Sequence, residues 1–483
     1  MAPSSSALPT VLEGIVENRK RHLDEIRQRV AHVDFGTLRK SERCLYDNLA
    51  APGTSFIMEC KASSPSLGVI RAEYYPGEIA PIYSRYAAGI SVLCEPDKFS
   101  GDYDHLATVA ATTHLPVLCK DFIIDEIQVY AARYFGADAI LLMLSVLSDE
   151  EYARLAALAD SLGMDVLTEV IDEDEARRAG RLGARIFGVN HRNLHDLTID
   201  LGRSARLAAL APEGAVVVSE SGIRDVETVR RLGAHSGGFL VGSQLTSQPD
   251  IDLAARTLVY GVNKVCGLTS SRAAQVAKAA GAVYGGLIFE AASPRNVSRE
   301  TAKTIIAAEP GLSYVAVSRC TEGFALVDGI SALQLHAPYQ GSLDAEQALI
   351  ARARAEVGEG TEIWRAISMT QPEGAAVAQA LAGTDGGADK LVLDAHSGGS
   401  GQTFNWHEVP DDVKPVALLA GGIGPSNVAD ALAVGCAGVD VNSAVEYPAT
   451  AGEWAGHKDA AAVRQTFDTI ANFHYPTTDE DLS

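Results

Sequence analysis

Positive charge is scarce in this chain. Across 483 residues, 40 Lys and Arg stand against 62 Asp and Glu, a formal net charge of −22. Nucleic acids and anionic membranes are bound through clustered Lys and Arg, so the deficit argues against both partners. No apolar run reaches the roughly 20 residues a membrane-spanning helix needs. The first ten residues, Met1 to Thr10, lack a basic stretch followed by an apolar one, so export is not expected. Cysteine is sparse too: seven residues, odd in number, with no C-x-x-C pair. Free thiols in a reducing cytoplasm fit that usage better than a disulfide framework or a zinc site, and no metal is expected. Charged residues make up only 21% of the chain against 47% hydrophobic ones, which excludes wholesale disorder.

A length of 483 residues alone would suggest about three domains at ~150 residues each. The pattern of the chain points to two. After a helical start over Val11–Val30, short runs of Val, Ile and Leu alternate with polar turns and Ala/Arg/Glu-rich amphipathic stretches. The runs are Phe56–Glu59, Ser91–Cys94, Val117–Cys119, Ala139–Leu144, Val166–Thr168, Ile186–Val189, Val216–Val218 and Phe239–Val241. Strands buried on both faces require such unbroken runs, and helical spacers make parallel pairing through right-handed crossovers the natural topology. Eight units in about 200 residues predict a (β/α)8 TIM barrel with an N-terminal helical extension.

The pattern then restarts, with runs at Lys264–Cys266, Gly286–Phe289, Tyr314–Val317, Leu333–Leu335, Ile363–Ala366, Leu391–Leu393, Val416–Leu419 and Val439–Val441. These predict a second barrel, with domains at 1–258 and 259–483. Its third connection, Ser318–Ser331, is too short for a full helix, so the covering helix there is expected to be lost or truncated. The halves also share a direct repeat: Gly222-Ile223 precedes Gly242-Ser243 as Gly422-Ile423 precedes Asn442-Ser443, both with a spacing of 21 residues. Each pair falls at the ends of the last two strands of its half. Glycine there lets backbone N–H groups approach an anion, so a phosphate in each half is the favoured reading over simple tight turns. Splitting the chain after Leu258 leaves 26 basic and 36 acidic residues before the boundary and 14 and 26 after it, charges of −10 and −12. Neither half is a basic module.

Side chains just beyond strand C-termini converge on one barrel mouth. In the first half the strands end at Glu59-Cys60-Lys61, Lys120-Asp121, Glu169, Asn190-His191-Arg192 and Glu220-Ser221. A structural salt-bridge network would explain one such Lys or Glu. Five polar strand ends above a phosphate turn favour an active site. The motifs Glu59-x-Lys61-x-x-Ser64-Pro65-Ser66-x-Gly68, Lys120-Asp121-Phe122, Leu167-Thr168-Glu169-Val170, Gly188-Val189-Asn190-x-Arg192-Asn193-Leu194 and Ser219-Glu220-Ser221-Gly222-Ile223 resemble indole-3-glycerol-phosphate synthase throughout 1–258. The resemblance implies ring closure of 1-(2-carboxyphenylamino)-1-deoxyribulose 5-phosphate with loss of CO2 and water. It makes Lys120 the general acid and gives Glu169 the developing anilinium cation. Lys61, tuned by Glu59, would reach the substrate carboxylate or the departing hydroxyl; which lysine serves at which step stays open. Asn190 would orient a hydroxyl, Arg192 would hold the carboxylate, and Ser221 joins the catalytic set. Ser64, Gly222, Gly242 and Ser243 would hold the phosphate. His191, where Asn or Ala is common, implies no catalytic role.

In the second half, Cys266 ends the first strand and is followed by Gly267-Leu268-Thr269. A buried core thiol is the commoner fate of such a residue. With Ser293-Pro294-Arg295, Gln334-Leu335-His336, Leu393-Asp394, the Gly398-Gly399-Ser400-Gly401 loop, Ala420-Gly421-Gly422-Ile423 and Val439-Asp440-Val441-Asn442-Ser443, however, it resembles phosphoribosylanthranilate isomerase over 259–483. That resemblance implies an Amadori rearrangement with Asp394 as acid and Cys266 as base. An acid carboxyl calls for a raised pKa and a thiolate for a lowered one, with Lys264, on the same strand face, the nearest cation. Arg295 would grip the anthranilate carboxylate, and Gly422, Asn442 and Ser443 the phosphate. His336 either lines the pocket or packs at the strand end. Asn405 stands where the family usually has Asp. Ser318-Arg319 replaces an aromatic residue and Asn, so altered local packing is expected there.

The favoured reading is thus a fused bifunctional enzyme for consecutive steps of tryptophan biosynthesis, needing no cofactor. It would act as a cytoplasmic monomer on small phosphosugar–anthranilate substrates. The alternative is an active synthase carrying a second barrel that only scaffolds or binds a ligand. A different phosphosugar enzyme would fit the phosphate turns but not the Glu59, Lys61, Lys120, Glu169 and Asn190 set.

Overall fold

A strand without polar alternation needs cover on both faces, and both halves of the chain supply it. The computed structural model describes residues 10–193, 197–324, 326–395 and 404–476; Leu194 and the Gly398–Gly401 loop fall outside the described residues. The chain divides into two compact units, one built on residues up to Leu258 and joined by the segment from His474, the other Val259–Phe473.

In the first unit eight parallel strands close a barrel in chain order: β1 (Ser55–Cys60), β2 (Gly89–Leu93), β3 (Val117–Lys120), β4 (Ala139–Met143), β5 (Asp165–Val170), β6 (Ile186–Asn190), β7 (Val216–Glu220) and β8 (Gly238–Val241). The second unit repeats this with β9 (Lys264–Val265), β10 (Tyr284–Ile288), β11 (Ser313–Ser318), β12 (Ile330–Leu335), β13 (Glu362–Ser368), β14 (Lys390–Asp394), β15 (Ala417–Leu419) and β16 (Gly438–Val441). All sixteen apolar runs overlap a strand. The outer helices start where Asp or Ser side chains accept a backbone N–H of the first turn, as Asp125 and Ser148 do in the first unit and Ser270 and Ser342 in the second. Between β11 and β12 no helix is found among the described residues, as the short connection predicts.

The first barrel is plugged at its N-terminal end. Leu45 and Leu49 of the helix Leu45–Ala50 pack with Ile57, Leu118 and Leu167, and Leu45 lies against Gly89 at the start of β2, so this helix plugs the N-terminal end. The predicted helical start is two helices, Thr10–Arg21 and Leu23–Arg29, meeting at His22. Leu12 of the first joins the same apolar cluster while lining the cavity at the opposite mouth. In the second barrel the lumen holds the fully buried Trp364, with Tyr284 edge-on at 4.8 Å between ring centroids. The segment from His474 belongs to the first unit: its ring lies 2.8 Å from Thr54 Oγ1, Tyr475 donates its hydroxyl to Glu227 at 2.9 Å, and its N–H goes to the Arg230 carbonyl at 3.1 Å. Asn405 caps the short helix Trp406–Glu408 by accepting the His407 N–H, which keeps the acceptor an Asp would supply.

Candidate active sites

The C-terminal mouth of the first barrel holds a cavity of about 600 Å³. Glu59, Lys61, Ser64, Lys120, Glu169, Asn190, Arg192, Ser221, Gly222, Gly242 and Ser243 all line it. Glu59, two residues from Lys61 and on the same face, takes the Lys61 ammonium at 2.9 Å and stands 3.8 Å from that of Lys120. Lys120 in turn lies 3.3 Å from Glu220 at the end of β7. Burial works against charge on Glu59, yet Lys61 and Lys120 outweigh it and hold the carboxyl below its ordinary range. Burial likewise opposes charge on Lys120, but Glu220, Glu59 and Glu169 raise it above the usual lysine value. Asn190 donates to Glu169 at 3.1 Å, fixing that carboxylate. Phe99 stacks beneath the Lys61 ammonium at 5.5 Å, and Phe122 sits near it. His191 is buried and divided between Ser204 and the Ser221 carbonyl, a structural role.

At the glycine turns after the seventh strands the halves match. Ser221 and Gly222 are consecutive left-handed residues, φ 68° and 78°, as are Gly421 and Gly422, φ 98° and 64°. Such turns point successive N–H groups to one side, an anion-binding concavity. Gly242 is required for another reason: a Cβ there would run into the Glu59 carboxylate.

The second mouth holds a cavity of about 400 Å³ lined by Cys266, Arg295, His336, Asp394, Gly422, Asn442 and Ser443. Cys266 follows β9 over an apolar floor of Ile288 and Val317. Lys264 is fully buried, donating to Asp440 at 2.6 Å and to Gln334 at 2.7 Å. The expected lowering of the thiol does not occur: burial pushes Cys266 up, and Lys264 and Lys458 pull down without overcoming it. Asp394 ends β14 and accepts the Ala395 N–H at 2.7 Å. His336 lines the pocket, and burial, with nearby Lys264, Arg365 and Arg319, lowers its pKa to about 4. Arg295 already holds a carboxylate, forking onto Glu446 at 2.7 and 2.8 Å. Among the described residues, no three His, Cys, Asp or Glu side chains are grouped to hold a metal ion, and no helix is long and apolar enough to cross a membrane.

Comparison with known proteins matches each half of the chain to a family. The Indole-3-glycerol phosphate synthase family matches residues 12–258, and the N-(5'phosphoribosyl)anthranilate (PRA) isomerase family matches residues 263–469. The "Tryptophan biosynthesis protein TrpCF" of Corynebacterium glutamicum is 69% identical over 476 residues, covering 98% of this chain and all of that one. The protein of the same name from Salmonella typhi is 43% identical over 472 residues, covering 96% and 99%.

The chain belongs to the TrpCF family.

It is a bifunctional enzyme of tryptophan biosynthesis, with the synthase in its N-terminal barrel and the isomerase in its C-terminal one. A second barrel that only scaffolds is thereby set aside. In this TrpCF chain, sequence reasoning left several residues of the two mouths without a role. Glu220 stood inside a quoted strand-end motif. Arg319 was noted only as a departure from the family pattern. Glu446 and Lys458 lie beyond the last strand of the second barrel and carry no motif, though Lys458 binds both Asn442 and Glu446. Val11, Leu12 and Ile15 reach the first cavity from the N-terminal helix, which the sequence marked only as a helical start.

Proposed function

We propose that Lys120 is the general acid of the synthase, protonating the ketose carbonyl oxygen as the aromatic ring carbon attacks. The carrying observation is one ammonium held between two buried carboxylates, Glu59 and Glu220, which keeps the proton on Lys120 until a developing oxyanion draws it. Glu169, oriented by Asn190, stabilises the anilinium that forms and assists proton removal as CO2 and then water depart. Lys61 and Arg192 serve the substrate carboxylate and the departing hydroxyl. Ser64, Ser221, Gly222, Gly242 and Ser243 bind the phosphate end.

In the isomerase, Asp394 gives a proton to the furanose ring oxygen and opens the ring to a Schiff base. Cys266 then takes the C2′ proton, and the enolamine tautomerises to the ketose. Cys266 and Asp394 face one cavity from strands that are not neighbours, which supports opposed acid and base roles. Lys264 and Lys458 are the cations that favour the thiolate as substrate binds. Gly422, Asn442 and Ser443 hold the phosphate. The boundary between the catalytic domains lies at Leu258 and Val259, and we infer a cytoplasmic monomer acting on small phosphosugars. The net charge of −22 speaks against nucleic-acid or anionic-membrane partners.

Separate assays of each reaction test the reading. Lys120→Ala should abolish ring closure and spare isomerisation; Cys266→Ala and Asp394→Asn should do the reverse. Loss of both activities in one folded variant would overturn independent sites.

A further inference from the structure

Resting on the assignment of the isomerase phosphate to Gly422, Asn442 and Ser443, we propose that Lys458 is a positioning residue for that phosphate. It holds the turn after β16 and supplies, from behind, the positive charge the turn itself lacks. The ammonium is a three-way clamp. Lys458 Nζ donates to the Asn442 carbonyl at 3.0 Å, to Asn442 Oδ1 at 2.9 Å and to Glu446 Oε1 at 2.7 Å. An ammonium has three donors, and all three are used. The Lys458 side chain is only 2% exposed and does not line the cavity, so it acts on a ligand through the turn.

The backbone keeps Lys458 in place. Glu446 and Lys458 face each other in an antiparallel bridge, and the Asp459 N–H reaches the Val445 carbonyl at 2.9 Å. Asp459 then caps the helix Ala460–Ala471. The chain thus leaves the turn at Asn442 and is pinned behind it on its return. Asn442 also borders the thiol end of β9: a Cβ on Gly267, next to Cys266, would come within 2.8 Å of Asn442 Oδ1. Fixing the Asn442 side chain therefore sets one wall beside Cys266 as well as the turn. The charges point the same way. Arg295 and Lys458 bring two positive charges to Glu446, which returns one negative, so the cluster holds a surplus of one beside the uncharged Gly421, Gly422, Asn442 and Ser443. Burial works against that surplus and pulls the Lys458 pKa down. A phosphate seated on the turn offsets it, in surroundings that screen charge poorly.

The full-length enzyme tests this through KM and through inhibition of isomerisation by two probes, inorganic phosphate and anthranilate. Lys458→Met leaves Glu446 paired with Arg295. It should raise KM for N-(5-phosphoribosyl)anthranilate and the inhibition constant of inorganic phosphate together, each on the order of 10- to 100-fold. Inhibition by anthranilate should stay within about twofold. Turnover falls as well, because the ammonium also favours the Cys266 thiolate, but phosphate binding reports the turn alone. Lys458→Arg, which keeps the charge, should recover part of the phosphate affinity, and ring closure by the first barrel should be unaffected. If the Met variant does not fold, Lys458→Gln, which keeps a donor for Asn442 without the charge, should show the same phosphate loss. Unchanged phosphate inhibition and KM in a folded variant, or equal weakening of phosphate and anthranilate, would overturn the proposal. Ser443→Asp puts a carboxylate on the turn; unchanged phosphate inhibition there would instead refute the assignment of the phosphate site, whatever Lys458 does.

Discussion

One carboxylate oxygen of Glu220 lies 3.3 Å from the Lys120 ammonium, while the other, Oε1, is buried with no hydrogen-bond partner among the described residues. That unpartnered oxygen leaves the charged form of Glu220 poorly stabilised. Burial raises Glu220 to about 7, Glu169 and Glu59 add to the rise, and Lys120 opposes it.

The consequence is a titration near neutrality. Synthase kcat/KM should show a step with a midpoint near pH 7 that disappears in Glu220→Gln, because this ratio reports ionisations of the free enzyme. The stability effect has a definite sign. With its folded pKa above its ordinary 4.5, Glu220 favours the folded state below pH 4.5 and loses that contribution as pH rises through 7. A step that persists in Glu220→Gln would assign it to another group.

His336 carries the opposite sign. Its folded value, about 4, lies below the ordinary 6.5, so the unfolded chain binds more protons between the two. Stability from the neutral ring is full above pH 6.5 and is lost as pH falls toward 4. Thermal unfolding of the second unit should therefore be more acid-sensitive in the native protein than in His336→Gln; equal slopes would sink the idea.

Gly242→Ala should disable the synthase alone. The added Cβ displaces the Glu59 carboxylate and with it the 2.9 Å pairing to Lys61. Misplacing a catalytic group by about 1 Å can cost about 10²-fold, the drop expected in kcat/KM for ring closure. Isomerase turnover measured on the same preparation should stay within about twofold.

The N-terminal helix is tied to the mouth by one buried ion pair. Arg19 donates to Asp121, next to Lys120, at 2.6 Å, and Tyr103 adds a hydroxyl donor at 2.9 Å. Arg19→Met should destabilise the first unit by about 3–5 kcal/mol, because Asp121 is left buried and uncompensated. Arg19→Met with Asp121→Leu should recover much of that loss in urea unfolding. A double variant no better than the single one would show that the pair does not act as a unit.

Much of this was legible in the sequence because a parallel barrel writes itself as repeated apolar runs. The strand ends were less so. Val216–Val218 read as a strand, yet β7 continues through Ser219 and Glu220, because polar residues occupy the last ladder positions and end the apolar signal early. The first mouth was almost wholly readable, its residues standing in short motifs at strand ends. Glu446 and Lys458 were not, since only the closing of the barrel brings them to Arg295 and Asn442. The upward shift of Cys266 was also beyond the sequence: Lys264 is on the right face, but its charge is shared with Asp440 and Gln334.

The segment from His474, set against Thr54, Glu227 and Arg230, gives the molecule an interleaved order: the first unit begins the chain and is also the one that receives its last described residues. A gene split at the Leu258–Val259 boundary would thus yield unequal products. The downstream piece would keep every strand of its barrel, whereas the upstream piece would expose a surface its covalent partner once covered. Separating the two enzymes cleanly takes a graft of the closing peptide as well as a cut.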